Sequence, residues 1–156
     1  MLTLFRYNWQ VRDDWFRWCQ EVPEDELLAI RTGGVGSILH TLFHVVEVER
    51  MWIADLTPVA TAPNDFADFG ILARVMALSA RCRPEVEAFV RAWRPELDTR
   101  VVEGAYEDGR PYRLLVGEGL RHVIAHEIHH MGQMSVWSRA LGRAPVSANL
   151  VGRHLM

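Results

Sequence analysis

Six of the seven histidines lie in two short segments of the chain, where their spacing suits metal binding. The first segment holds His40 and His44, and the second holds His122, His126, His129 and His130. Residues four apart on a helix share one face, with Cβ atoms about 5–6 Å apart, so such pairs could bind one metal ion. Helical bundles build metal sites from side chains on facing helices. The histidines therefore predict a metal site, and hydrogen-bonded imidazoles without a metal are the alternative.

The second segment also contains the sequence HExxH, from His126 to His130. In a zinc peptidase with this motif, the glutamate activates a water molecule. Two features argue against this activity, since the extended motif fails at Gln133 and Val136 and no Asp or Glu follows Glu127. Neighbouring residues on a helix point about 100° apart. We therefore expect the Glu127 carboxylate to be solvated or hydrogen-bonded to a ligand, and not to act as a catalytic base.

The composition of the chain excludes several other kinds of chemistry. All 17 basic side chains are arginine, which excludes a Schiff-base lysine and a P-loop lysine. The glycine-rich stretch over residues 31–36 matches neither common phosphate-binding motif. The formal net charge of −3 argues against a nucleic-acid partner. Acid–base or metal chemistry is therefore expected from histidines, acidic side chains and the two cysteines.

Cysteine usage and hydropathy indicate the compartment. Cys19 and Cys82 are far apart and form no disulfide framework, so we expect both to fill space in the core. Residues 1–20 lack the uninterrupted apolar stretch of a signal peptide. No run of about 18 apolar residues occurs, so no membrane partner is expected. We expect a cytoplasmic protein with a single domain over residues 1–156.

Apolar residues recur at helical spacing along four long stretches. We predict helices over residues 2–21, 37–55, 66–94 and 116–141, and a short helical turn over 24–29. Ser37 should cap the second long helix, and Gly142 should end the last one. Pro84 should kink the third long helix or divide it in two. These elements predict an all-α four-helix bundle.

The remaining segments are predicted to be a hairpin and loops. Residues 100–106 and 111–115 suggest a short β-hairpin before the last helix, with its turn at Asp108-Gly109. Residues 56–64 contain two prolines among small residues and predict a loop. The tail from residue 143 to 156 is also expected to be mostly loop.

Two stretches of the chain resemble motifs of the DinB/YfiT-like family. Residues 122–133 read HVIAHEIHHMGQ and resemble that family's last-helix motif, HxxxHxxHHRGQ. Residues 41–52 read TLFHVVEVERMW and resemble its second-helix motif, a histidine followed by Glu and Trp. Helix order, hairpin and length also match, so the resemblance covers nearly the whole chain. Met131 and Ala125 depart from the motif, which usually has Arg and often Asn there, so contacts made by those side chains are not implied.

The resemblance implies a bundle of up-down-down-up topology with a three-histidine metal site. The family's ligands match His44, His126 and His130 in this chain. Members of the family commonly form homodimers, so a homodimer is expected. Relatives include thiol S-transferases and a thiol-dependent isomerase, and many members have no known activity.

The chemistry of three imidazoles agrees with this resemblance. Three neutral imidazoles leave coordination positions open, as catalytic zinc sites do. Zinc or nickel is the expected divalent metal, although imidazole also suits copper and iron. Water or a low-molecular-weight thiol would take the open positions, so no side chain is assigned a catalytic role. The activity stays open between a hydrolase and a thiol-dependent transferase acting on an unknown small molecule.

Two alternatives to an enzyme remain at this point. One is a non-catalytic, metal-stabilised or stress-linked bundle that acts as a dimeric interaction protein. The other is a dimeric interaction module whose histidine cluster stays empty. A coordination sphere closed by four protein ligands would favour the first alternative over an enzyme.

Three polar residues near the predicted ligands have possible roles at the site. Glu47 could hydrogen-bond a water molecule of the site or pair with Arg50, three residues along the same helix. His40 could contact a ligand, or it could lie at the surface or cap the helix. Gln133 could orient the ring of His130, as partners of metal-binding histidines do.

For four further residues we predict a location in the fold but no chemical role. We expect His122 near the metal site and His129 on a different helix face. Trp9 could cover the pocket, but core packing is favoured. Trp52 is also expected in the core.

Overall fold

The computed structural model describes residues 1–57, 61–105 and 108–155, and it is mostly helical. Within these ranges the α-helices are α1 (Leu2–Cys19), α2 (Glu24–Leu28), α3 (Ile38–Asp55), α4 (Leu72–Arg91) and α5 (Val116–Ala140). The strands β1 (Val101–Ala105) and β2 (Pro111–Leu115) form an antiparallel hairpin directly before α5. This architecture confirms the predicted helical bundle with a hairpin before its last helix.

Two apolar clusters show how the four long helices run. The first joins the later part of α1 to the beginnings of α3 and α4 and to the end of α5. The second cluster joins the start of α1, at Phe5, to the other end of each remaining helix. Its members include Ile53 near the end of α3, Val90 near the end of α4 and Leu120 near the start of α5. α1 and α5 therefore run in one direction and α3 and α4 in the other, as in the up-down-down-up order. The segment after α3 must return along the bundle before α4 begins.

The buried face of α3 sets the position of His44, the first of the three predicted metal ligands. Ile38, Leu42 and Val45 are fully or almost fully buried, while His40 and His44 are half-buried at the edge of this face. α3 thus buries one face, as an amphipathic helix packed in a bundle does. In the part of the chain that is described, no helix combines the length and apolar character needed to cross a membrane.

The ends of two helices follow the predicted capping signals. The Ser37 side chain accepts a hydrogen bond from the His40 amide (3.1 Å), which satisfies one free N–H at the start of α3. The Thr41 hydroxyl donates to the Ser37 carbonyl (2.7 Å). Gly142 follows α5 with φ +68°, the left-handed conformation that commonly ends a helix.

The predicted third long helix is corrected by the structure. Residues 66–94 do not form one element, because a 3-10 turn over Phe66–Phe69 precedes α4. Pro84 does not divide α4, which continues from Leu72 to Arg91. Pro84 and Ala80 are both exposed, so water can satisfy the Ala80 carbonyl that proline leaves without a helical partner.

The predicted hairpin is confirmed, and its register is simple. Val101 pairs with Leu115 and Ala105 with Pro111, so both strands pair over their full length. Gly109 has φ +79°, which glycine adopts without strain. Residues 106–107 of the hairpin connection lie outside the described residues, and so do residues 58–60 of the loop predicted over 56–64.

Candidate metal centre

Three imidazoles from two helices converge where α3 packs against α5. His44 Nε2 of α3 lies 3.0 Å from His126 Nε2 of α5, and His126 Nε2 lies 3.1 Å from His130 Nε2. The ligand atoms of these three residues all lie within 4.8 Å of one another. Zn–N bonds of ~2.0–2.1 Å in a tetrahedral site place nitrogens about 3.3 Å apart. The three histidines could therefore hold one metal ion.

The orientation of the rings also suits a shared ion. The ring planes are inclined by 61° between His44 and His126, 85° between His44 and His130, and 71° between His126 and His130. Rings that meet at such angles can direct their nitrogen lone pairs to one point, which parallel stacked rings cannot do. His130 is buried, while the other two rings are partly open to solvent. The group thus has a protein-facing side and a solvent-facing side.

The environment keeps these imidazoles neutral. Burial, together with the neighbouring histidines, lowers the pKa of His44 to about 4 and that of His126 to about 3. Burial also lowers the pKa of His130, against the opposing effect of its hydrogen bond to Gln133. A neutral imidazole is the form that binds a metal. The donor set therefore fits a divalent ion at neutral pH.

Gln133 orients His130, as the spacing of the two residues predicted. The His130 Nδ1–H donates to Gln133 Oε1 (2.8 Å), so the Nε2 lone pair is free to point towards the other ligands. The same amide donates from Nε2 to His129 Nε2 (3.0 Å). His129 is exposed, in agreement with its predicted place on another face of α5.

Two aromatic pairs lie on either side of the three imidazoles. His40 stacks on Phe66, with ring centroids 4.1 Å apart and planes within 5°. His122 lies 5.2 Å from Trp52 and 5.8 Å from His126 between ring centroids, which confirms that His122 is near the site. His40 thus takes part in an aromatic stack, and its ring is half-buried rather than exposed.

Glu47 is occupied by other partners. Its carboxylate accepts hydrogen bonds from Arg50 and from the backbone and side chain of Asn64, the latter two at 2.8 Å. Burial raises the pKa of Glu47, but the bonds from Arg50 and Asn64 outweigh it and lower the pKa overall. The salt bridge was one of the two roles predicted for Glu47, and the structure favours it. The backbone bond also ties the segment before α4 to α3.

Glu127 takes neither of its two predicted roles, since it is not solvated and its carboxylate pairs with an arginine rather than with a ligand histidine. Glu127 is only 1% exposed, and it receives two hydrogen bonds from Arg12 of α1, at 2.7 and 2.6 Å. Arg12 also donates to Glu49 of α3 (2.9 Å), and Trp9 donates to the same carboxylate (2.9 Å). Glu127 therefore points into the bundle, away from the His126 face, and cannot act as a peptidase base. Trp9 is buried, as core packing predicted.

The role of Arg12 was missed by the sequence reasoning, although a signal was present. Phe5, Trp9, Arg12 and Phe16 recur at helical spacing, so a charged residue sits within the apolar stripe of α1. Such a residue must be paired when it is buried. Burial lowers the pKa of Arg12, but the charges of Glu127 and Glu49 outweigh it and raise the pKa, so the guanidinium stays protonated.

The coordination sphere of the three histidines is incomplete within the described parts of the chain. In those parts, the group of possible metal ligands contains His44, His126 and His130, and no carboxylate or thiol joins them. A structural zinc site normally closes its sphere with four protein ligands, whereas a catalytic site has three and an open position. The fold and this site define a class, that of helical bundles with three histidines on the second and last long helices that could hold a metal ion.

Comparison with known proteins agrees with this class. The model of the DinB family matches residues 1–156, and the chain belongs to that family. The chain is also similar to the "Uncharacterized protein YizA" of Bacillus subtilis (strain 168). The two are 43% identical over 155 residues, which cover 99% of this chain and 96% of that protein.

The depressed histidine pKa values predict a pH-dependent stability. An unfolded histidine has a pKa of ~6.5, whereas His44 and His126 have folded-state values of about 4 and about 3. The unfolded chain therefore binds more protons below pH ~6.5, so the free energy of unfolding of the metal-free protein should fall as the pH drops from there. Urea unfolding in the presence of EDTA, between about pH 7 and about pH 5, measures this slope.

A variant at His126 tests whether this pH dependence of the free energy of unfolding comes from the histidine group. His126→Gln removes one titrating group and should make the pH dependence shallower than in the unaltered protein. Equal slopes in the two proteins would contradict the depressed pKa of His126.

Proposed function

We propose that this protein is a metal-dependent enzyme in which His44, His126 and His130 hold a divalent ion. The observation that carries the proposal is the convergence of three neutral imidazoles, two of them partly exposed, where no fourth ligand joins them within the described residues. A site of this kind has room for an exchangeable ligand. The metal is zinc or nickel, for which imidazole is a suitable ligand.

The open coordination positions define the chemistry. When bound, the metal supplies a Lewis acid whose free positions take water or a low-molecular-weight thiol. The reaction is accordingly a hydrolysis or a thiol transfer on a small-molecule substrate. The expected substrate is a neutral or anionic molecule, because the three ligands are neutral and leave the positive charge of the ion uncompensated.

The protein's own residues position the ligands and hold the neighbouring carboxylates. Gln133 orients His130, and the hydrogen bonds from Arg12 hold the Glu127 carboxylate away from the ligands. Glu47 is held by Arg50 and Asn64 and so is not free to take a proton. His122 is an exposed imidazole beside the ligand set, with its ring centroid 5.8 Å from that of His126.

Elemental analysis combined with X-ray absorption tests the proposal. The purified protein should contain about one zinc or nickel ion per chain, bound by three imidazoles and an exchangeable light ligand. Addition of low-molecular-weight thiols to the cobalt-substituted protein should change its absorption if a thiol takes the open position. A sphere closed by four protein ligands would exclude the enzyme. A metal-free protein that does not bind added zinc or nickel would exclude the metal site itself.

One observation favours a second candidate function. The three histidines come from both α3 and α5, so a bound ion would link these helices and stabilise the bundle without catalysis. This non-catalytic protein would act as a dimeric interaction module. It differs from the enzyme in having no exchangeable ligand on the metal. The homodimer stays a prediction for both candidates, and sedimentation equilibrium measures it.

A further inference from the structure

A glycine-rich segment lies against α5 beside the three histidines. This glycine segment runs from Arg31 to Gly36, and its ends are joined by a hydrogen bond from the Arg31 amide to the Gly36 carbonyl (2.6 Å). The Trp137 indole of α5 donates to the Thr32 carbonyl (3.2 Å). Trp137 lies one helical turn beyond Gln133, so this bond fixes the glycine segment next to the Gln133 amide.

Gly34 brings the glycine segment into close contact with Gln133. A Cβ atom on Gly34 would lie 2.7 Å from Gln133 Oε1 and 3.3 Å from Gln133 Cδ, with the Trp137 ring 3.2 Å away. Gly34 also has φ +57°, which residues with a side chain rarely adopt. Only glycine therefore allows the backbone to approach the amide this closely without displacing it.

The orientation of the Gln133 amide decides which nitrogen of His130 is protonated. Its oxygen accepts the Nδ1 proton of His130, and its NH₂ group donates to His129. A rotated amide would offer its NH₂ group to His130 Nδ1 and favour the proton on Nε2 instead. Nε2 is the atom that faces His126, so the rotated amide would remove a metal ligand.

We propose that the lack of a side chain at Gly34 leaves the Gln133 amide the room for its observed orientation, which positions His130 as a metal ligand. The inference rests on the proposed function, because it assigns the glycine segment a role in the same metal site. Gly34 and Gln133 are positioning residues, since neither is one of the three ligands. Loss of a partner that orients a metal-binding histidine typically lowers metal affinity ~10- to 100-fold.

Gly33 provides a matched control for Gly34. Gly33 has φ +85°, so an alanine at either position meets a similar backbone strain. A Cβ atom on Gly33 meets nothing within 4 Å, whereas one on Gly34 meets the Gln133 amide. The difference between Gly33→Ala and Gly34→Ala therefore measures the contact with Gln133 apart from the strain.

The first experiment measures the His130 tautomer in the metal-free protein. Nitrogen NMR of labelled histidines should show His130 protonated on Nδ1 in the unaltered protein and in Gly33→Ala. Gly34→Ala should shift His130 towards the form protonated on Nε2. Titration with cobalt(II) should then give an affinity for Gly34→Ala that is ~10- to 100-fold below that of Gly33→Ala.

Substitutions at Gln133 test whether Gly34 acts through this amide. In a Gln133→Ala background, adding Gly34→Ala should weaken cobalt(II) binding no further, because no amide is left for the new Cβ atom to displace. Gln133→Glu keeps an acceptor for the His130 Nδ1 proton and should keep the tautomer, whereas Gln133→Leu should lose it. These two variants decide the role of Gln133 even if Gly34→Ala does not fold.

The outcomes separate this inference from the metal site itself. The same His130 tautomer in Gly33→Ala and Gly34→Ala, or in Gln133→Glu and Gln133→Leu, would overturn the inference whether or not cobalt(II) binds. A tautomer that changes as expected in a protein that binds no cobalt(II) supports the positioning role and contradicts the proposed function alone.

Discussion

Replacing His126 with alanine should lower the affinity for zinc or nickel by more than ~100-fold, since loss of a residue that merely orients a ligand already costs ~10- to 100-fold. His126 is the central member of the group, because its Nε2 atom lies 3.0 Å from that of His44 and 3.1 Å from that of His130. Its removal leaves two imidazoles from different helices, which cannot surround an ion. Competition with a chromophoric chelator measures the affinity of both proteins.

His122→Ala is the matched control for this prediction. His122 lies one turn before His126 on the same helix face, so the pair also has metal-binding spacing. The structure excludes His122 from the ligand group, and its replacement should leave the affinity within a few-fold of the unaltered value. Unchanged affinity in His126→Ala, or loss of binding in His122→Ala, would show that another set of histidines holds the metal.

Replacing Arg12 with methionine should lower the free energy of unfolding by about 3–5 kcal/mol, because removal of one partner leaves buried charges uncompensated. Arg12 is fully buried and bonds to Glu127 of α5 and Glu49 of α3, which are also almost fully buried. The substitution keeps an apolar chain of similar length but leaves two carboxylates without a cation. Urea unfolding followed by circular dichroism measures the loss.

Two further variants separate the buried charge from the shape of the side chain. Arg17→Met removes an exposed ion pair with Asp14 on the same helix, and it should cost no more than ~1 kcal/mol. In a triple variant, Glu127→Leu and Glu49→Gln accompany Arg12→Met, and the amide introduced by Glu49→Gln keeps an acceptor for Trp9. This variant should recover much of the lost stability, since apolar replacement of a whole buried ion pair is often neutral. An Arg12→Met protein as stable as Arg17→Met would contradict the role of the network.

The helices and the ligand pattern could be predicted because both depend on residues close together in the chain. Apolar periodicity and the Ser37 cap define α3, and the four-residue spacing puts His126 and His130 on one face whatever surrounds α5. The extent of α4 was predicted less well. Proline disfavours the interior of a helix. The free-energy cost at Pro84 depends on whether the carbonyl of Ala80 faces water, and only the packing of the bundle decides that.

The histidine spacing by itself determined which side chains could share a metal, since a helix fixes the relative directions of residues four apart. The tertiary structure alone decided which way the Glu127 carboxylate turns and which of its two predicted roles Glu47 takes. Glu127 points inward because Arg12 on α1 compensates its charge, and Glu47 is held by Arg50 and Asn64. Contacts between distant parts of the chain, such as that of Gly34 with Gln133, depend on how the bundle closes. No local sequence pattern fixes such a contact, because its energy comes from partners about a hundred residues away in the chain.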